Sequence, residues 1–117
     1  MAGAQGDYPA ARALYEESLA ISRELGDRLR IAYSLEGLAD VVFVLVGPGR
    51  AARIWGAADR LREEIGAPLE AIERPRYDSQ VASARAAMGD DLAFNSAWQE
   101  GRAMTLEQAI EYALKKT

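Results

Sequence analysis

The stretch VVFVLVGPGRAARIWG, residues 41–56, is compatible with two structures. A valine-rich apolar run followed by Gly47, Gly49 and Ala52 matches the strand, turn and helix of a dinucleotide-binding fingerprint, G-x-G-x-x-G/A. The alternative is a helix that ends near the first glycine, a turn, and a second helix. The first structure implies a nucleotide-binding enzyme, and the second implies an all-α protein.

The residues upstream of this stretch favour the helix. Apolar residues continue the run at helical steps of four and three: Ile31, Leu35, Leu38, Val42 and Leu45. No Gly, Pro or Asn separates Asp40 from the valines, so nothing marks the start of a strand. The valines lower helix propensity by about 1–2 kcal/mol together, which burial of a few such side chains exceeds. We therefore predict a helix up to Gly47, with Pro48 just beyond its end.

Other stripes of apolar residues at helical spacing, together with residues typical of helix ends, predict five further helices. The first spans Tyr8 to Leu25 and is closed by Gly26, which suits the left-handed position after a helix. The last begins with a capping box formed by Thr105 and Gln108. The others are predicted at about 49–65, 75–88 and 91–101.

The composition excludes several kinds of chemistry. The chain has 117 residues, of which half are apolar and 27% are charged, and it has no cysteine and no histidine. It therefore lacks a disulfide framework, a thiol nucleophile, the usual zinc ligands and the commonest general base. We predict that it has no catalytic residues, no metal site and no cofactor, and that it is not an enzyme.

Charge and hydropathy lead to predictions about location and partners. There is no signal-peptide pattern and no apolar run near the roughly 20 residues that span a bilayer, so a cytoplasmic protein without membrane contact is expected. The net charge is −4, with both signs interspersed. Because no one-sided positive field follows from this pattern, we predict that this segment does not bind nucleic acid.

An internal repeat bears on the opening alternatives. GDYPAARALYEESLAISRELG, residues 6–26, matches GPGRAARIWGAADRLREEIG, residues 47–66. The AAR triplets coincide at an offset of 41 and the closing glycines at 40. The first copy has Asp7-Tyr8-Pro9 after its glycine and cannot be a dinucleotide fingerprint. Gly49 is therefore interpreted as a turn residue of a repeat.

A period of about 40 with two helices per unit resembles the tetratricopeptide family. The residues that carry the resemblance are Gly6, Tyr8, Ala11, Tyr15, Leu35, Leu38, Ala39, Val42, Gly47 and Ala52. Gly49 and Gly56 depart from the pattern, where an aromatic and a bulky residue are usual, as suits a terminal repeat. The resemblance implies an all-α, right-handed solenoid of helical hairpins over residues 1–68, with a three-helix cap at 69–117 in the same domain.

Beyond the repeat, RAARIWGAADRLREEIGAPL, the helix with Tyr77 and AFNSAWQEGRAMTLEQAIEYAL are similar to the C-terminal end of large bacterial signalling ATPases and of LuxR-type or adenylate-cyclase-linked regulators. This likeness implies that the chain is a non-enzymatic scaffold or sensor arm of a signalling or transcriptional regulator.

In such repeats the first helix of a unit lines the concave surface. Next to the buried stripe, Tyr33, Glu36, Asp40 and Phe43 follow at spacings of three, four and three. Two carboxylates flanked by two aromatic rings are predicted to hold a basic, partly apolar segment of a protein partner. The alternative is that the rings belong to the core and the acids form a solvated face.

Two further surfaces carry predictions. Arg50 and Arg53 lie in the first turn of the third helix, where the dipole is positive, and are candidates for binding an anion. Their alternative is ion pairing with nearby acids. The first helix, through Tyr8, Leu14 and Ile21, is predicted to form a homodimer because stacked repeats need neighbours.

Three hypotheses for the function follow. The first is a protein-interaction module, the second is a purely structural cap or dimerisation element, and the third is a fragment of a nucleotide-binding enzyme.

Overall fold

The computed structural model describes residues 7–115, and in that range the chain forms helices and no strands. Residues 41–45 lie inside a helix, so the predicted helical structure is confirmed and the strand of the dinucleotide fingerprint is wrong. The helices are α1 (Tyr8–Leu25), α2 (Arg28–Leu45), α3 (Pro48–Ile65), α4 (Arg74–Met88), α5 (Asp91–Arg102) and α6 (Leu106–Leu114).

Local capping groups explain where these helices begin and end. The side chain of Asp7 accepts a hydrogen bond from the Ala10 N–H, which fixes the start of α1. Thr105 and Gln108 form the predicted capping box at α6. The predicted end at Gly26 is also confirmed, since this residue adopts a φ of 66° that most other residues disfavour.

The turn between α2 and α3 differs in detail from the prediction. The helix α2 ends at Leu45, and Pro48, which lies beyond it as predicted, is already the first residue of α3, whose start was predicted at about residue 49. Proline suits this position because the first N–H groups of a helix have no intrahelical partner. Gly47 precedes it with a φ of 149°. Only Val46 and Gly47 separate the two helices, so α2 and α3 pack side by side.

The core lies mainly between α2 and α3, with α1 on one side and α5 on the other. Four residues of the predicted stripe of α2 are buried: Ile31, Leu35, Leu38 and Val42. The fifth, Leu45, is 39% exposed at the end of the helix. Trp55 of α3 is also fully buried, and its indole N–H has no hydrogen-bond partner. The helix α6 contacts α1, α2 and α3 and closes one end of the packing.

The helix α5 packs along α3 far more extensively than α4 does. Two glycines permit this approach. A Cβ atom on Gly56 would lie 2.1 Å from the Trp98 carbonyl oxygen, and one on Gly101 would lie 1.9 Å from the Arg53 carbonyl oxygen. By contrast, Ala84 is the one buried residue of α4. The chain reaches α4 through an irregular connector, residues 67–73.

Two other predictions concern the outer surface. Leu14 and Ile21 of α1 are 61% and 54% exposed, and Tyr8 is half-buried. These are the residues of the predicted homodimer, which no observation tests. Among residues 7–115, no helix is both long and apolar enough to cross a membrane.

Candidate functional site

A groove lies between α1, the exposed face of α2, the connector and α4. It holds a cavity of about 300 Å³. A second cavity of about 280 Å³ continues it towards α3, and Glu36, Leu69 and Tyr77 line both. The first cavity is lined by Tyr15, Ser18, Tyr33, Ser34, Glu36, Gly37, Asp40, Leu69, Glu73, Arg76 and Tyr77.

A glycine shapes the wall of this groove. A Cβ atom on Gly37 would lie 2.2 Å from Cε1 of Tyr15, so the ring of Tyr15 occupies the space that a side chain on α2 would fill. The hydroxyl groups of Ser18 and Ser34 hydrogen-bond at 2.8 Å beside it and connect α1 with α2. The groove floor is therefore formed by direct helix contact.

Glu36 forms a two-pronged ion pair with Arg62. Nε and Nη2 of Arg62 donate to the two carboxylate oxygens at 2.5 and 3.0 Å, and the side chains are only 8% and 12% exposed. Arg62 also donates to the Ala67 carbonyl at 3.0 Å. The hydrogen bonds to Glu36 are the main cause that raises the pKa of Arg62. Glu36 therefore joins α2 to α3 and the connector.

Asp40 also lines the groove, and its ion-pair partner is far more exposed than that of Glu36. Its carboxylate is 3.4 Å from Nη1 of Arg76, whose side chain is 68% exposed, whereas Asp40 is only 21% exposed. Burial raises the pKa of Asp40 to about 6, against the opposing effect of the positive charge on Arg76. Asp40 is thus a carboxylate whose ionised form is poorly compensated.

The two aromatic residues of the predicted site lie in different places. Tyr33 is 45% exposed at the groove, and its hydroxyl donates to Glu70 at 3.1 Å. That hydrogen bond is the main cause that raises the pKa of Tyr33. Phe43 does not line the groove; it packs against the core, with its ring centroid 6.5 Å from that of Trp55. The structure thus brings Tyr33, Glu36 and Asp40 together and places Phe43 elsewhere.

Several residues that line the groove were not predicted to be part of the site, among them Arg62, Arg76 and Tyr77. Arg62 lies one turn after Ala58 on the buried face of α3, and a charged residue at a core position is the signal that could have indicated a buried ion pair. Tyr77 was interpreted only as part of an apolar stripe. It lines both cavities, and burial raises its pKa.

Arg50 and Arg53 contact the last two helices. Arg50 donates to the Tyr112 carbonyl at 2.8 Å and to the Lys115 carbonyl, and its guanidinium lies 4.6 Å from the centroid of the Tyr112 ring. Arg53 donates to Glu100 at 2.7 Å and to the Tyr112 hydroxyl at 3.3 Å. An anion would compete with these contacts. Anion binding here stays a prediction.

The groove carries no arrangement suited to a metal ion in the part of the chain that is described. Within residues 7–115, no three or more acidic side chains come close enough together to hold one.

Comparison with known proteins gives relatives over nearly the whole chain. Two are from Mycobacterium tuberculosis (strains CDC 1551 / Oshkosh and ATCC 25618 / H37Rv), one is from Mycobacterium bovis (strain ATCC BAA-935 / AF2122/97), and each is named as an HTH-type transcriptional regulator. Each is 32% identical over 113 residues, which cover 97% of this chain and 13% of the relative. No protein-family model and no solved structure matches the chain.

These relatives contradict the prediction that this segment does not bind nucleic acid. The helix-turn-helix in their name is a DNA-binding motif. The prediction relied on the net charge of the 117 residues alone, and the matched region is 13% of the length of each relative. The chain spans about an eighth of the length of the curated relatives it matches, and it is similar to a helical segment of such regulators.

Proposed function

We propose that this chain is a non-enzymatic, tetratricopeptide-like interaction module of an HTH-type transcriptional regulator, and that it binds a segment of a protein partner in the groove between α1, α2 and α4. The observation that carries the proposal is the groove itself, in which a 300 Å³ cavity is lined by aromatic rings and by the partly exposed carboxylate of Asp40. The lining combines three tyrosine rings with charged and hydroxyl side chains, which suits a ligand that is partly apolar and partly charged.

Equivalent helix ends support the repeat. The helices α1 and α3 each have 18 residues and start 40 positions apart. Both end in the same hydrogen-bonding pattern, in which the N–H groups of Gly26 and Asp27 bond to Arg23 and Ser22, as those of Gly66 and Ala67 bond to Glu63 and Arg62. The two helices are thus equivalent in length and in C-terminal capping, as expected of repeat units.

The relatives support the place of this module in a regulator. They are named as transcriptional regulators and match 97% of the chain. In a long regulator a helical segment that binds another protein can transmit the state of that protein to the DNA-binding part. We therefore place the chain in the regulatory rather than the catalytic class of proteins.

Site-specific crosslinking tests the proposal. A benzophenone amino acid replaces Tyr33 in the groove, and a control variant carries it at Leu92, which is 81% exposed on α5. After irradiation in cells of the source organism, we expect a protein adduct at position 33 that is absent at position 92. Identical adducts at both positions, or none at position 33, would contradict an interaction groove and support a structural cap.

The name of the relatives favours a second candidate, in which this segment itself contributes to DNA contact. An electrophoretic mobility assay of the chain with duplex DNA distinguishes the two. Saturable retardation that weakens with added salt would support direct DNA contact, since phosphate contacts release counterions.

A further inference from the structure

The charges around the groove cavity are unequal. Three carboxylates line it, those of Glu36, Asp40 and Glu73, together with one guanidinium, that of Arg76. Glu36 is neutralised by its two hydrogen bonds to Arg62. The other two carboxylates outnumber the one arginine that lines the cavity, so the cavity favours a positively charged occupant.

Asp40 is held much less firmly than Glu36. Glu36 accepts two hydrogen bonds from a guanidinium that is 8% exposed, whereas Asp40 has one contact of 3.4 Å with a guanidinium that is 68% exposed. An ion pair with such an exposed partner contributes little stability. Arg76 can therefore leave Asp40 without disturbing the packing of the core.

The walls of the cavity suit an organic cation. Tyr15, Tyr33 and Tyr77 line it from three different helices, and aromatic rings attract guanidinium and ammonium groups. The volume of about 300 Å³ lies at the lower end of the range for ligand pockets. The cavity thus offers apolar walls for an aliphatic side chain and a carboxylate for its charged end.

We infer that this cavity receives one cationic side chain, an arginine or lysine of the protein partner, which pairs with Asp40 and displaces Arg76. The inference rests on the proposed function and specifies the chemistry of the partner. Of the four residues that the sequence predicted to bind the partner, Glu36 and Phe43 are occupied by contacts within the chain. Asp40 is therefore the carboxylate that accepts the cationic side chain.

The test uses N-acetyl-arginine amide as the probe and N-acetyl-glutamine amide as the neutral control. Both are titrated at pH 7.5 into the 117-residue chain, and binding is measured by isothermal titration calorimetry, which applies equally to wild type and to a variant at position 40. We expect saturable binding of the arginine probe and none of the neutral compound. Asp40→Asn is expected to weaken binding about tenfold, because it removes a charged hydrogen-bond acceptor.

Arg76→Gln removes the guanidinium that competes with the probe for Asp40. The arginine probe should therefore bind about threefold more tightly to this variant, because an exposed ion pair contributes about that much. Asp78→Asn is the control for the loss of one negative charge. Asp78 lies on the same helix as Arg76, is 58% exposed and does not line this cavity. It should leave the affinity within about twofold.

Several results would overturn the inference: equal binding to wild type and Asp40→Asn, no gain in Arg76→Gln, or equal binding of the neutral compound. If position 33 crosslinks to a protein while the arginine probe does not bind, this inference is wrong and the proposed function stands. If neither occurs, both are wrong.

Discussion

At the scale of single residues, Asp40 is a carboxylate whose surroundings disfavour its charged form. Its side chain is 21% exposed and its contact with Arg76 is loose, so burial outweighs the ion pair and raises the pKa from 3.8 to about 6. The ionised carboxylate therefore destabilises the folded state at neutral pH. A carboxylate whose charged form destabilises the fold is a candidate for a functional rather than a stabilising role.

The raised pKa of Asp40 predicts that the stability of the fold depends on pH through the titration of this carboxyl group. Between about pH 4 and pH 6 the folded state keeps a proton that the unfolded state has lost, so the free energy of unfolding falls as the pH rises. Across this window the ionisation of Asp40 lowers the free energy of unfolding by about 2–3 kcal/mol, and the loss stays constant at higher pH. Asp40→Asn should abolish it, so the variant should gain stability relative to wild type between pH 4 and pH 7. Urea unfolding at several pH values measures the gain, and parallel profiles would contradict it.

The ion pair of Glu36 and Arg62 leads to a second prediction. Arg62→Met leaves the buried carboxylate of Glu36 without a partner, and we expect a loss of about 2–4 kcal/mol in the free energy of unfolding. Arg60→Met is the matched control, since Arg60 lies on the same helix and its pair with Glu64 is more than 40% exposed on both sides. Its effect should stay below about 1 kcal/mol. Equal losses in the two variants, measured by urea unfolding, would show that burial of the pair does not matter.

Among the helices, the contact of α3 with α5 depends on two missing side chains. The carbonyl oxygen of Trp98 occupies the position of a Cβ on Gly56, and that of Arg53 occupies the position of a Cβ on Gly101. Backbone atoms cannot move aside as a flexible side chain can. The departure of Gly56 from the repeat pattern therefore has a packing reason, because it lets the backbones of the two helices touch.

Substitution of these glycines tests the contact. We expect Gly56→Ala to lower the free energy of unfolding by about 2–3 kcal/mol, because the added methyl group overlaps backbone. Gly49→Ala serves as the control on the same helix. Its Cβ would meet only ends of flexible side chains, the terminal methyl of Met88 at 3.2 Å and Nη1 of Arg53 at 4.0 Å. Helix propensity should therefore make it neutral or stabilising by up to about 1 kcal/mol. Thermal unfolding of the two variants measures the difference, and a stabilised Gly56→Ala would contradict the close approach.

For the whole molecule, burial is distributed unevenly. The helix α3 has nine buried residues in its length of 18, whereas α4 has one, Ala84, in 15. The helix α4 also supplies Arg76 and Tyr77 to the groove. The element that covers the candidate site is therefore the one with the least burial to hold it in place.

This distribution predicts local opening at α4. In native-state hydrogen exchange, the backbone amides of α4 should exchange at least about tenfold faster than those of α3, because few apolar contacts oppose their opening. Mass spectrometry of peptides from the two helices measures the rates. Equal protection of both helices would mean that α4 opens only with the whole domain.

Helix positions were accessible from the amino-acid sequence because their signals are local. Asp7 and Gly26 around α1, and Thr105 with Gln108 at α6, act through hydrogen bonds within a few residues, and the predicted ends of these helices were confirmed. The same applies to the helical state of residues 41–45, where an apolar stripe continues across the valines. Periodicity likewise placed Leu35, Leu38 and Val42 in the core.

The partners of the side chains were not accessible in this way, since they come from distant parts of the chain. Glu36 and Asp40 look alike in the sequence, yet Glu36 meets Arg62 from 26 positions away and is neutralised, while Asp40 meets only the exposed Arg76. Arg50 reaches the Tyr112 carbonyl 62 positions away. Hydrogen-bond caps and hydrophobic periodicity act over one or two turns and therefore specify helices, whereas charge pairing and burial depend on how the helices pack, which places one carboxylate in an ion pair and leaves the other in the groove.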